Sequence, residues 1–258
     1  PMSNPIQQEK RNRTLILRIN RPDQKNALTK AMYTDLADGL AEAHNDPDIR
    51  VILIAGNTEC FTAGNDLSEF ENGMPEDFQT TPVGRFLFGL AGASKPIVAA
   101  VNGPAVGIGT TLLLHCDLAW AGSNTTFRMP FVNLGLCAEG ASSLLLPRWL
   151  GRVRAGELLL LGRPFDAEKA ASYGLINGVC DPQQTEETAL EACHELASLP
   201  PAAIRATKEL MNEANAGAVE PAMRREGERF AKRLDSAEAK EAFSAFREKR
   251  APDFSRFD

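Results

Sequence analysis

Two segments, Val51-Ile52-Leu53-Ile54-Ala55-Gly56 and Pro96-Ile97-Val98-Ala99-Ala100-Val101-Asn102, are apolar without interruption where a half-exposed strand would alternate. Such a run is stable as a strand only when both faces are covered, as in a parallel sheet with helices on either side. The chain is thereby constrained to an α/β arrangement. Thr14-Leu15-Ile16-Leu17-Arg18-Ile19 reads as a further strand, closed by the turn residues Asn20-Arg21-Pro22-Asp23. Thr29 is placed to cap a helix whose apolar face recurs at Met32, Leu36, Leu40 and Ala43, and Pro47 stops it. A polar, glycine-containing loop from 57 to about 75 and a helical segment at 84–91 lead to the second buried run. Gly103 to Gly109 then opens a helix through Leu112-Leu113-Leu114, and Asp117-Leu118-Ala119-Trp120-Ala121 is another strand. From about Gly151 the signals are helical: 154–161, 166–173, 186–199, 201–214 and 220–249, with Pro200-Pro201 as one boundary. The division expected is an α/β core over 1–195 and a C-terminal helical segment over 196–258.

Composition narrows the functional classes. At 258 residues, with 43% hydrophobic and 24% charged, the chain has the balance of a globular protein. No apolar run approaches the eighteen or so residues of a membrane helix, and the start shows no basic-then-apolar leader, so a cytoplasmic protein is expected. A net charge of −6, from 28 basic and 34 acidic side chains, argues against a nucleic-acid surface, though a small anionic ligand needs only a few local cations. The five cysteines are scattered without a CxxC pair and read as free thiols. His44, His115 and His194 show no zinc spacing, so no metal is expected.

Three segments stand out because their backbone matters more than their side chains: Cys60-Phe61-Thr62-Ala63-Gly64-Asn65-Asp66-Leu67, Asn102-Gly103-Pro104-Ala105-Val106-Gly107-Ile108-Gly109-Thr110-Thr111, and the stretch from Phe127 to Gly140. Loops after parallel strands and first turns of helices present unpaired N–H groups to anything negative, and two converging loops would supply two donors to a developing oxyanion. The Gly107 segment lacks the GK[ST] ending of a P-loop and the GxGxxG of a dinucleotide site. Taken singly, each segment is equally well explained by glycines that only permit tight packing.

In order and spacing, however, several motifs together resemble the crotonase (enoyl-CoA hydratase/isomerase) superfamily. These are Asn26-Ala27-Leu28, Phe61-Thr62-Ala63-Gly64-Asn65-Asp66-Leu67, Lys95-Pro96-Ile97-Val98-Ala99-Ala100-Val101-Asn102-Gly103, Cys116-Asp117-Leu118-Ala119, Gly162-Arg163-Pro164-Phe165-Asp166-Ala167, Ala171-Ser172-Tyr173-Gly174-Leu175-Ile176 and Phe243-Ser244-Ala245-Phe246-Arg247-Glu248-Lys249-Arg250. The resemblance implies a spiral of ββα repeats forming two roughly perpendicular sheets, with C-terminal helices that make a homotrimer or a dimer of trimers. It implies an acyl-CoA thioester as substrate, with no cofactor beyond the CoA that the substrate carries. Its oxyanion hole falls on the backbone N–H groups of Asn65 and Ile108. Lys25, Ala27, Ala63, Gly64, Asp66, Leu67 and Gly107 would lie around the CoA ester, Asp66 as a brace rather than a reactant. Lys25 reads equally well as a solvated surface charge.

The hydratases of that superfamily use two glutamates, and the corresponding positions here are Thr111 and Phe131, neither of which transfers a proton near neutral pH. Glu139, in Leu136-Cys137-Ala138-Glu139-Gly140-Ala141-Ser142-Ser143, is placed as is the base of peroxisomal-type Δ3,Δ2-enoyl-CoA isomerases. Moving a double bond from C3 to C2 needs one base and an enolate sink; Phe131, Leu134 and Leu136 would exclude water and raise the Glu139 pKa. By position alone, Glu139 reads as a helix-start carboxylate ahead of Ala141-Ser142-Ser143. Three functions follow: an isomerase acting on 3-enoyl-CoA, another crotonase reaction such as hydration or thioester hydrolysis, and a non-catalytic acyl-CoA-binding module.

Overall fold

The buried-strand pattern is realised in the computed structural model, which describes residues 4–70 and 77–258. The part of the sequence-read loop at 71–76 lies outside the described residues. The strands are β1 (Ile6–Arg11), β2 (Thr14–Ile19), β3 (Val51–Ala55), β4 (Ile97–Val101), β5 (Pro104–Val106), β6 (Leu118–Gly122), β7 (Thr126–Arg128), β8 (Phe165–Asp166) and β9 (Gly178–Cys180). The helices are α1 (Lys30–Asn45), α2 (Pro82–Ala91), α3 (Ile108–Thr111), α4 (Ser142–Leu150), α5 (Arg152–Leu160), α6 (Ala167–Ser172), α7 (Thr185–Ser198), α8 (Pro201–Leu234) and α9 (Ala237–Arg247). One sheet runs β1-β2-β3-β4-β6-β9, all neighbours parallel except the β1–β2 hairpin. A second, smaller sheet runs β5-β7-β8. This is the α/β, two-sheet architecture with C-terminal helices that the sequence led us to expect.

The uninterrupted apolar strands divide their residues between two cores, because successive side chains of a strand point to opposite faces. Ile52 and Ile54 of β3 and Ile97, Ala99 and Val101 of β4 join the main core under α1 and α2. Val51, Leu53, Val98 and Ala100 meet Ala189, Cys193 and Ala197 of α7 on the other face. Thr29 caps α1 by accepting from the Met32 N–H, and Met32, Leu36, Leu40 and Ala43 are all buried.

Several elements depart from the sequence reading. β1 buries only Ile6, so this polar edge strand carries no alternating signal. β5, β7 and β8 are two or three residues long, too short for a period to be seen. The segment after Gly103 is first a strand, β5, and turns helical only at Ile108. The break expected between 214 and 220 is absent: α8 continues through Pro221. A helical proline forfeits one backbone bond, and the half of α8 beyond it is held by the buried Met223, Phe230 and Leu234. The chain breaks instead before Ser236, whose side chain accepts from the Ala239 N–H to cap α9. The division drawn at 195/196 cuts the last turn of α7; Pro200, after that helix ends at Ser198, is the natural boundary. Among the described residues no helix is long and apolar enough to cross a membrane, and all five cysteines are free.

Candidate active site

A cleft of about 660 Å³ opens where the loop after β3, the β5–α3 junction, the loop after β7 and α9 meet. One wall is main chain. The loop containing Ala63, Gly64 and Asn65 is tied to the Asn26–Leu28 turn by Ala63 N–H to Lys25 O (3.0 Å), Leu28 N–H to Gly64 O (2.8 Å) and Asp66 N–H to Leu28 O (2.9 Å). In that parallel bridge Leu28 makes both bonds, so the N–H of Asn65 between them is directed to the opposite side. Among the described residues it meets no acceptor. Gly64 has φ +91°, and a Cβ there would lie 2.9 Å from the Val106 carbonyl oxygen, so only glycine fits.

The second loop is bonded to the first: Thr62 N–H donates to Pro104 O (3.1 Å) and Val106 N–H to Thr62 O (3.0 Å). Gly107, at φ 60° and ψ −117°, turns the chain out of β5 so that Ile108 begins α3. The Ile108 N–H is one of the orphan donors of a helix start and likewise meets no acceptor among the described residues. Asn65 and Ile108 both line the cleft. Two main-chain donors on mutually bonded loops are suited to an oxygen that gains negative charge.

Of the other sequence-chosen residues, Lys25, Ala27, Ala63, Gly64, Asp66 and Leu67 line the same cleft. So do Gly107, Phe131 and Leu134. Asp66 accepts from Ser68 N–H (3.2 Å) and pairs with Arg21 at 2.8 Å. The Arg21 guanidinium, with Ser68, holds its carboxyl below the usual range, which is the state of a brace. Lys25 is exposed at the mouth.

Glu139 and Thr111 stand apart from the main lining. Glu139 is buried, at 7% exposure, and borders a constriction of about 10 Å³ together with Phe70, Phe78, Val83 and Met223. That constriction shares Asn65 and Phe230 with the main cleft, so the carboxylate lies in a space next to the cleft, on the far side of the donor loop's Asn65 and of Phe230. The buried Thr111 hydroxyl donates to Glu139 Oε1. Burial pushes the Glu139 carboxyl up to about 8, against the lowering effect of the Thr111 hydrogen bond and with a smaller contribution from Glu226.

The α4 donors go to a different carboxylate. Ala141 N–H donates to Glu226 Oε2 (2.7 Å) and Ser143 N–H to Glu226 Oε1 (3.0 Å). The Glu139 side chain is thus spared that duty, and only its carbonyl serves the turn, accepting from Ser142 Oγ at 2.6 Å.

Sequence reasoning passed over several residues here. Asn26, fully buried with φ 55°, donates from Nδ2 to Cys60 O (3.0 Å) and Phe61 O (3.1 Å), and its Oδ1 accepts from Arg21 N–H (2.7 Å). It pins the first donor loop, and an asparagine beside a turn was its available signal. The buried Tyr33 hydroxyl donates to Asn65 Oδ1. Phe230 of α8 meets Phe131 edge-on at 6.4 Å, and Phe243, Phe246 and Arg247 of α9 close the cleft mouth. Among the described residues no group of His, Cys, Asp and Glu could hold a metal ion.

With this geometry in view, the chain was compared with known proteins. The enoyl-CoA hydratase/isomerase family model matches residues 9–256. The 2,3-dehydroadipyl-CoA hydratase of Escherichia coli K12 is 33% identical over 243 residues, covering 94% of this chain and 95% of that protein. Enoyl-CoA delta isomerase 2 of Rattus norvegicus is 37% identical over 201 residues, 76% of this chain but 51% of the isomerase. Among solved structures, Pseudomonas aeruginosa OdaA superposes with a TM-score of 0.92 at 47% identity, covering 95% of this chain and 99% of that one.

Proposed function

Since the chain belongs to the enoyl-CoA hydratase/isomerase family of the crotonase superfamily, we propose that this enzyme moves the double bond of 3-enoyl-CoA thioesters to the 2-trans position. The thioester oxygen sits between the N–H groups of Asn65 and Ile108. Glu139 removes a proton from C2, the charge passes to the oxygen, and the same carboxyl returns the proton to C4. Each oriented donor contributes about 3–4 kcal/mol to the enolate-like transition state. The observation that carries this reading is a buried carboxylate that accepts from the Thr111 hydroxyl, makes no bond to the α4 donors and lines a constriction that also touches Asn65. Burial pushes its pKa up to about 8, which suits a base working near neutrality.

Hydration fits less well. The second proton-transferring group it requires has no counterpart at Thr111, whose hydroxyl is spent on Glu139, or at Phe131, whose ring packs on Phe230. Water is not a reactant in isomerisation, so the apolar Phe131, Leu134 and Leu136 assist by excluding it. No cofactor is required beyond the CoA of the substrate. We also assign a homotrimer or dimer of trimers, supported by Trp149, Val153, Leu160 and Leu161, large apolar side chains left exposed on α4, on α5 and just after it. Equilibrium sedimentation at a monomer mass would refute that assignment.

The test is product analysis with a 3-enoyl-CoA in ¹⁸O-water. The expected product is 2-enoyl-CoA free of ¹⁸O at C3, with turnover reduced about 10²–10⁴-fold in Glu139→Gln. Labelled 3-hydroxyacyl-CoA formed from a 2-enoyl-CoA, with the 3-enoyl-CoA left unchanged, would establish hydration instead. Tight binding without turnover would establish a binding module, and an unimpaired Glu139→Gln would end the assignment of the base.

A further inference from the structure

Glu226 is a second buried carboxylate, 7% exposed, projecting from the middle of α8. It accepts from Ala141 N–H at 2.7 Å, from Ser143 N–H at 3.0 Å and from the Ser143 hydroxyl. The backbone it grips is unusual. Gly140 and Ala141 are consecutive left-handed residues, at φ +66° and +63°, and Ala141 carries a side chain that disfavours this conformation. Two such residues immediately follow Glu139, whose side chain accepts from the Thr111 hydroxyl. Among the described residues the turn is also held by the half-buried His115, whose Nε2 lies 2.7 Å from Gly140 O and donates to it in the neutral ring.

We propose that Glu226 is a positioning residue for Glu139, clamping the strained Gly140–Ala141 turn from α8 and setting a second carboxylate behind the base. The inference rests on Glu139 being the base, and it gives the C-terminal helix a part in catalysis beyond subunit contacts. Burial pushes the Glu226 carboxyl up, against the lowering effect of the Ser143 and Ala141 donors that converge on its oxygens. When ionised, it opposes ionisation of Glu139. The other groups facing this pair are Tyr33 from α1, His115 after α3, Cys137 from the same loop as Glu139, and Arg225 beside Glu226 on α8. Of these, Arg225 is the cation, and it works to hold Glu226 ionised.

The experiment follows kcat, KM and the acid limb of kcat/KM with pH for wild type, E226Q and E226D on a 3-enoyl-CoA. The Glu139 carboxyl is titrated in parallel by NMR on ¹³C-glutamate-labelled enzyme. E226Q removes the charge at nearly constant size. It is expected to lower kcat about tenfold or more with KM within about twofold, and to move both the acid limb and the Glu139 carboxyl titration to lower pH. E226D keeps the charge but shortens the reach, so kcat should fall while the limb stays in place. If E226Q matches wild type in kcat and in both titrations, or if its activity falls only in proportion to folded protein with the limb unmoved, the proposal is overturned. Should E226Q not fold, S143A removes a single donor to Glu226. A lower kcat at unchanged KM supports the clamp, and unchanged kcat overturns it. An active E139Q would mean that the base itself was misassigned; an inactive E139Q beside a wild-type-like E226Q would sink the clamp alone.

Discussion

The two walls of the cleft are made of different material. The Asn65–Ile108 wall is main chain, held by backbone hydrogen bonds between loops and by glycine at the position where a Cβ would strike a carbonyl oxygen. The Glu139 wall is side chain, assembled from α1, α3, the loop after β7 and α8, with one hydrogen bond reaching 85 positions along the sequence. The first wall presents donors whose direction does not depend on pH. The second presents a carboxylate whose charge does. In the proposed reaction this separates charge stabilisation from proton transfer, so substitutions in the two walls should leave different signatures.

The largest contrast comes from Gly64→Ala. Its Cβ would meet Val106 O at 2.9 Å in a backbone conformation that alanine rarely adopts, displacing the Asn65 N–H. A loss of about 10²–10³-fold in kcat is expected with the acid limb of the pH profile unmoved. A shifted limb would mean that the walls are not independent. Thr111→Val acts on the other wall. Its hydroxyl lowers the Glu139 pKa, so removing it should move the acid limb above pH 8 and reduce turnover at pH 7 by a smaller factor, with activity largely recovered at higher pH. Stopped assays across pH 6–9.5 decide this.

Much of the first wall could be read from the chain because glycines and the strand–glycine–helix order mark its two loops, although the bonds that join those loops, such as Thr62 N–H to Pro104 O, cross between distant segments. The uninterrupted apolar runs likewise encoded the sheet, since the demand that both faces be covered lies in the strand itself. The second wall was legible only at Glu139. Tyr33 looks like a core residue in an amphipathic helix, and Glu226 sits in a charged stretch of α8 that reads as a solvated face. What brings them to the site is a long-range meeting that no local period encodes. The same holds for the continuity of α8 through Pro221, where packing of Met223 and Phe230 outweighs a local breaker.

A thermodynamic difference also separates the walls. Folding raises the Glu139 pKa from about 4.5 to about 8, so between those values the folded chain binds a proton that the unfolded chain has lost. Stability therefore falls as pH rises from about 4.5 and levels off above 8, by up to on the order of 4 kcal/mol. Glu139→Gln lacks this loss. Its Tm should match wild type near pH 5 and exceed it by several degrees at pH 8, by calorimetry at constant ionic strength. Equal differences at both pH values would place the carboxyl in a solvated setting. The smallest effect belongs to Lys25→Ala at the exposed mouth: a rise in KM of at most about fivefold, shrinking with added salt, and no change in kcat. A change in kcat would bring Lys25 into the chemistry.

The relay of one proton by one carboxylate is tested most directly with a 3-enoyl-CoA bearing two deuteriums at C2, turned over once in ordinary water. Proton abstraction by Glu139 predicts a slowed chemical step and a product carrying deuterium at C4, both lost with Glu139→Gln. Product with no deuterium at C4 and a rate indifferent to the label would contradict a shuttle between C2 and C4.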